Sequence, residues 1–234
     1  MGTSIISWTV SDGCGNTSTC STTVTITALP TASISYPGTP FCSGQPSATV
    51  TLTGTNAYLG GTFSAPAGLT IDPVTGTLNF TTSTPGTYTV SYTIAASGGC
   101  PQVVATTSVS FGTPPVITLN PTAISGCKTA GNNTGVTFPA SATGTPDPTA
   151  QWQVSADNST WVNTTNGTTN TSTTGGVTSS SFTIDPVSQG DLKLYYRVNF
   201  TNACGSAQST GALLDYGSSV NLTPGQNDFD VEFI

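Results

Sequence analysis

The chain has 234 residues, of which ten are acidic, three are basic (Lys128, Lys193, Arg197) and none is His, for a net charge of −7. Charged residues make up 6%, against about 25% in an ordinary soluble protein. This excludes a nucleic-acid surface, which needs clustered cations, adhesion to an anionic membrane, and His-based acid–base or triad catalysis. No apolar run reaches the roughly 20 residues of a spanning helix, so direct membrane insertion is not expected. Solubility falls to hydroxyls and amides: Thr alone occupies 48 positions, and its β-branched side chain suits a pleated surface. Six cysteines, an even number, fit an oxidising compartment. There is no CxxC spacing and no His to complete a zinc set, so no cofactor is expected. No signal peptide is visible, and the chain reads as an excerpt of a longer exported protein.

In chain order, residues 4–10 (SIISWTV) and 21–27 (STTVTIT) predict two strands around the turn Asp12-Gly-Cys-Gly-Asn-Thr-Ser-Thr-Cys20. A Cys14–Cys20 bond would close a small ring worth roughly 2 kcal/mol. Leu29-Pro30 marks a first boundary. Seven short strands are then predicted at 31–36, 48–53, 61–64, 69–71, 77–81, 86–95 and 102–111. The clearest is Gly86–Ile94, where Tyr88, Val90, Tyr92 and Ile94 alternate inward with Thr and Ser outward. Leu69–Leu78 predicts a hairpin opened by Asp72-Pro73 and closed by Gly76. Cys42 and Cys100 fall in this one module, which makes Cys42–Cys100 the expected bridge.

Thr113-Pro114-Pro115 marks a second boundary. Beyond it, Leu194, Tyr196, Val198 and Phe200 alternate along a predicted strand. Residues 163–180, a Thr/Asn/Gly tract, are expected to be a loop between strands. Cys127 and Cys204 fall near predicted strand ends in this module, and a Cys127–Cys204 bond would staple one end of it. Asp72 and Asp185, each before a proline, are read as turn anchors. In the final stretch, Asp228, Asp230 and Glu232 alternate with Phe229, Val231 and Phe233. That face is a weak Ca²⁺ candidate if a loop adds oxygens, and otherwise a solvated strand. Two aromatics stand outside the core pattern as candidates for stacking on a sugar: Trp161 and Tyr58. Each also has a plain packing role to weigh against it.

Three stretches resemble known repeats. "TVSDGCGNTSTC…TVTIT" resembles the last hairpin of the HYR module. The run from Thr62 to Ile94 is similar to bacterial Ig-like repeats found in tandem in very large surface proteins. "FPASATGTPDPTAQWQVSADNSTWV…SFTIDPVSQGDLKLYYRVNFTNACG" resembles Ig-like domains of bacterial adhesins. There Trp152 falls where immunoglobulin folds bury a Trp, and Tyr196 is a tyrosine-corner candidate. The B–F disulfide of antibody domains is replaced by apolar residues such as Ala140 and Val198. The resemblance implies an all-β chain of tandem Ig-like antiparallel β-sandwiches with an N-terminal β-hairpin: 1–28 hairpin, 29–113 and 114–217 sandwiches, 218–234 tail or first strand of a following module. It further implies a giant SprB-like gliding adhesin of the Bacteroidota at the cell surface. The segment would be non-catalytic and mainly stalk, with neighbouring modules of the same chain, and surface polysaccharide or glycan, as partners. The alternatives are a carbohydrate-binding module and an accessory domain of a secreted polysaccharide-degrading enzyme.

Overall fold

The computed structural model describes residues 2–26, 28–97, 100–128 and 135–218, with the side chains of 127, 128, 217 and 218 excepted. Its regular structure is β apart from one short 3₁₀ turn. Two compact units form, one of Met1–Thr39 with Pro46–Val109, the other of Pro40–Gln45 with Ser110–Ile234. The chain therefore passes between them three times.

The first unit begins with the hairpin β1 (Gly2–Ser11) and β2 (Thr17–Ile26), paired in register over ten positions. Asp12 sets its turn: one carboxylate oxygen accepts the Cys14 and Asn16 amides at 2.9 Å, the other accepts the Asn16 side chain at 2.7 Å. Alternation sorts the two faces. Ile6, Trp8, Val10, Val24 and Ile26 share one face with Cys20, while the other is a carpet of Thr and Ser apart from Ile5. All of these residues are exposed.

The rest of the unit is built from small sheets. β3 (Thr31–Ser35) pairs with β6 (Thr51–Thr55). In the second part, β4 being Phe41–Cys42 of the other unit, β5 (Ser47–Ala48), β9 (Leu78–Asn79) and β8 (Thr70–Ile71) form a small sheet. β10 (Gly86–Ile94) lies between β7 (Thr62–Ser64) and β11 (Val103–Leu119). Its expected alternation holds: Val90 and Tyr92 are fully buried, Tyr88 and Ile94 half-buried. Phe63 packs its ring 4.5 Å from Tyr92. Buried Tyr36 donates to the Gly76 carbonyl at 2.6 Å, and burial pushes its phenol up to about 12. Gly76 has φ of +71°, and a Cβ there would press on Val50 and Phe63. The 69–78 hairpin turn thus accepts only glycine.

β11 differs from expectation. The strand expected over 102–111 continues to Leu119 through Pro114-Pro115. The two prolines carry no N–H, and the pairing with β13 slips at that point, between Thr113↔Thr145 and Val116↔Thr143. A bulge is where a sheet tolerates proline, so the Pro pair ends no strand. Residues 103–109 belong to the first unit and 110–119 to the second.

The second unit is an immunoglobulin-type sandwich. β12 is Ile124–Lys128, β13 Val136–Thr145, β14 Thr149–Ser155, β15 Val162–Asn163, β16 Thr168–Thr174, β17 Val177–Ile184, β18 Leu194–Asn202, β19 Gly205–Gln208 and β20 Ala212–Ser218. One sheet runs β16-β17-β13-β11, the other β12-β20-β18-β14-β15, with β19 also on β18. In immunoglobulin lettering these are D-E-B-A and A′-G-F-C-C′. β12 pairs parallel with β20, as an A′ strand does with G.

Trp152 on C is 1% exposed, stacks 5.6 Å from Phe182, and donates its indole N–H to Ser180 Oγ at 3.0 Å. Ala140 and Val198 fill the B–F position, both buried. Tyr196 stacks on Phe138 at 5.1 Å, but its hydroxyl has no hydrogen-bond partner among the described residues. It is therefore a core ring and not a tyrosine corner. Burial, with the Asp191 charge beside it, pushes this phenol well above its ordinary range. Asp191, buried in the E–F turn, is held by the Ser188 amide at 2.8 Å, the Ser188 hydroxyl and the Asn166 side chain.

The tract 163–180 is a hairpin and not a loop. β16 and β17 pair over seven positions, closed by Gly175-Gly176 with φ of +60° and +78°. Two consecutive residues at positive φ make the type I′ turn that fits strand twist.

Candidate functional site

The cysteines depart furthest from expectation. Cys42 is bonded to Cys204, with Cα atoms 5.4 Å apart and 162 residues between them in sequence. Cys14, Cys20 and Cys100 are unbonded thiols; the Cys127 side chain lies outside the described residues. Each expected pairing fails for a physical reason. Strand pairing closes at Ser11↔Thr17 and places Cys20 opposite Trp8. Cys20 is thus three residues, roughly 10 Å, along the strand from the turn that carries Cys14, and a disulfide needs Cα atoms within about 7 Å. Cys42 belongs to the second unit, beside Gly112, and is bonded to Cys204 there, while Cys100 belongs to the first. Cys204, already bonded to Cys42, is not available to Cys127.

The sequence around the bridge is shaped to hold it, all within the second unit. Phe41 is buried at 3% exposure. Phe41–Cys42 pairs parallel with Phe111–Gly112, and the Ser43 amide donates to the Gly112 carbonyl at 2.8 Å. A Cβ on Gly112 would overlap the Thr145 carbonyl oxygen and press on the Cys204 sulfur; only glycine lets this corner close. Asn202 orders the F–G turn that presents Cys204. Its Oδ1 accepts the Cys204 amide at 2.8 Å, and its Nδ2 donates to the Thr113 and Pro146 carbonyls at 2.9 and 2.8 Å. Neither Gly112 nor Asn202 stood out in the sequence, since both act through strands distant in the chain.

Trp161 is half-buried at the edge of the outer C′-C-F-G face. The Arg197 guanidinium lies 4.2 Å from its ring centroid. Arg197 Nε donates to Gln153 Oε1 at 2.9 Å, and Gln153 Nε2 donates to Asn163 Oδ1 at 3.2 Å. Gly211 passes against the indole edge, where a Cβ would come within 2.9 Å. One ring face is thus occupied within the protein, and the row Asn163–Gln153–Arg197 offers amide and guanidinium groups beside it. Tyr58 is half-buried over Gly54, where a Cβ would meet its ring, and its carbonyl accepts the Tyr92 hydroxyl at 2.9 Å. Trp161 and Tyr58 lie in different units. Asp228, Asp230 and Glu232 lie outside the described residues, and among the described residues no three His, Cys, Asp or Glu side chains converge as a metal set.

The carboxylates hold turns. Asp157 accepts the Thr160 and Ser159 amides at 2.7 and 2.8 Å, and these bonds hold its carboxyl well below the usual range. Asp72 is lowered by the Thr75 and Val74 amides, and Asp12 by the Asn16 side chain and amide. A carboxyl depressed in the folded state adds stability above its unfolded pKa of about 3.9, lost as pH falls through the folded value. The chain has no His, the side chain whose ordinary pKa lies between about pH 5 and 8. Melting temperature is therefore expected to stay flat between about pH 5 and pH 7.5 and to fall below about pH 4. Calorimetry across that range checks this, and a transition near pH 6.5 would contradict it.

No family model matches the chain, and no curated protein matches it. Solved structures with similar folds include Dpr2 Ig1-Ig2 in complex with DIP-Theta Ig1-Ig3, at 14% identity over 92% of this chain and 73% of that chain, TM-score 0.44. A three-Ig titin fragment matches at 14% identity over 92% and 75%, TM-score 0.46. Rst D1-D2 matches at 10% identity over 79% and 99%, TM-score 0.46.

Proposed function

We propose that this chain is a non-catalytic, extracellular segment of a cell-surface adhesion filament of the gliding Bacteroidota type, serving mainly as stalk. The observation that supports it best is the Cys42–Cys204 tie, a bond that lasts in oxidising compartments and joins positions 162 residues apart. The carboxylates of Asp12, Asp72 and Asp157 are engaged in turns, and both β16 and the Thr/Ser face of the β1–β2 hairpin expose mainly hydroxyls. Such groups give a wet, nearly uncharged surface suited to spacing. The module boundaries at 29, 114 and 218 belong to this reading.

A second reading, glycan binding, is favoured by the Trp161–Arg197 stack beside the Gln153 and Asn163 amides. Wild type, Trp161→Ala and Tyr58→Ala are compared on glycan arrays and on glass and polysaccharide-coated surfaces. The stalk reading expects no saturable binding, or binding that neither substitution changes. Loss of the Arg197 stack costs about 0.5–1 kcal/mol, so Trp161→Ala stays folded. Saturable binding lost in Trp161→Ala with its melting preserved would replace the stalk reading by the glycan one.

A further inference from the structure

We infer that the Cys42–Cys204 bond diverts tension around most of each folded core, making the segment a length limiter under load. The inference deepens the stalk reading and rests on it for its purpose. Its physical basis is the connectivity. A pull on the two ends of the chain enters along residues 1–41, reaches Cys42, crosses the disulfide and leaves along residues 205–234. Everything between lies on a closed loop and carries no end-to-end load while the bond holds. That loop contains β5 to β18. It holds Phe63, Leu78, Val90 and Tyr92 of the first unit and Phe138, Trp152, Phe182, Tyr196 and Val198 of the second. Only β1 to β3 on one side, with buried Ile34 and Tyr36 beside them, and β19 and β20 on the other, with buried Ala212 and Leu214, can be peeled away by the pull.

The anchor points are fixed in a way that fits the role. On the entry side, Phe41 is buried and Cys42 is paired with Gly112. On the exit side, Asn202 fixes Cys204 by the bond to its amide while gripping the Thr113 and Pro146 carbonyls. Load therefore arrives at a sulfur bridge seated in hydrogen-bonded backbone on both sides. Where a single-chain module would lengthen by its full contour on unfolding, this segment stops once the short flanks are drawn out.

The experiment is single-molecule pulling of the whole chain from its ends, without reductant and then with tris(carboxyethyl)phosphine. The phosphine converts the bridge to two thiols and is itself oxidised to the phosphine oxide. Without reductant, total extension is expected to stop at roughly 250 Å, the reach of the residues outside the loop at about 3.5 Å each. After reduction, a further gain of roughly 530–580 Å is expected, the contour of 162 residues. Extension by the full contour without reductant overturns the inference, as does a gain on reduction that fits another pairing. The in-place reduction makes the test independent of whether Cys204→Ser folds. A limited extension in a protein that also binds glycan through Trp161 would sink the stalk reading and leave the load path standing; full extension in a non-binding protein would do the reverse.

Discussion

Trp152→Ala is expected to cost the second unit about 3–5 kcal/mol of stability. The indole is 1% exposed at the centre of the sandwich, stacked on Phe182 and hydrogen-bonded to Ser180. Truncation removes the largest buried side chain of that core and leaves a cavity between two sheets whose backbones are fixed by their ladders; buried Trp or Phe to Ala changes typically cost this much. Against a domain stability of about 5–15 kcal/mol, the loss takes away roughly a fifth at the least and nearly all at the most. Ser180 is less of a concern, because the Thr171 hydroxyl still reaches it at 3.2 Å. Trp152→Phe is therefore expected to cost less, since much of the ring area stays. Urea unfolding of both variants, read at unchanged slope, is the measurement. A loss under about 1 kcal/mol for Trp152→Ala would mean the indole is not in this core.

Cys42→Ser and Cys204→Ser are each expected to lower stability by about 5 kcal/mol. Constraining the unfolded chain by a tie across 162 residues is worth that much in the loop-entropy account, in which a 100-residue loop gives about 4.7 kcal/mol. For a unit of this size the corresponding fall in melting temperature is roughly 15 °C or more. Either change opens the same bond, so the double variant is expected to lose no more than a single one. Cys100→Ser separates this bond from the pairing the sequence suggested: as an unbonded thiol it is expected to melt like the wild type. Were Cys100→Ser to fall as far as Cys42→Ser while Cys204→Ser did not, the observed bridge would be wrong. Melting curves of the four variants without reductant decide it.

The Trp161 face is only partly legible from neighbouring residues. Trp161 stood out because it breaks the inward alternation. Its partner did not, because Arg197 comes beneath it only through the C–F register that sets Gln153 opposite Arg197. For Tyr58 the packing partner is Gly54, four residues back, yet only the folded turn shows the ring lying over it. The tract 163–180 carries no strand signal for a different reason. With neither face apolar, β16 has no core signal, and it is a strand by virtue of its ladder to β17. The Gly175-Gly176 pair was the local sign of the turn.

What the sequence determined by itself is the all-β character and the inward rows of β10 and β18; the burial of Trp152 came from the resemblance to Ig-like domains. Side-chain alternation is a property of neighbouring residues and survives whatever the strand pairs with. What only the tertiary structure decided is which cysteine meets which, and that Pro114-Pro115 lies inside a strand. Both depend on pairings far apart in sequence. Six cysteines admit fifteen pairings, and the bond falls to the two whose backbones the sheet brings within reach. Likewise a proline pair is compatible with a strand only where the partner's register slips to leave its missing donors unused.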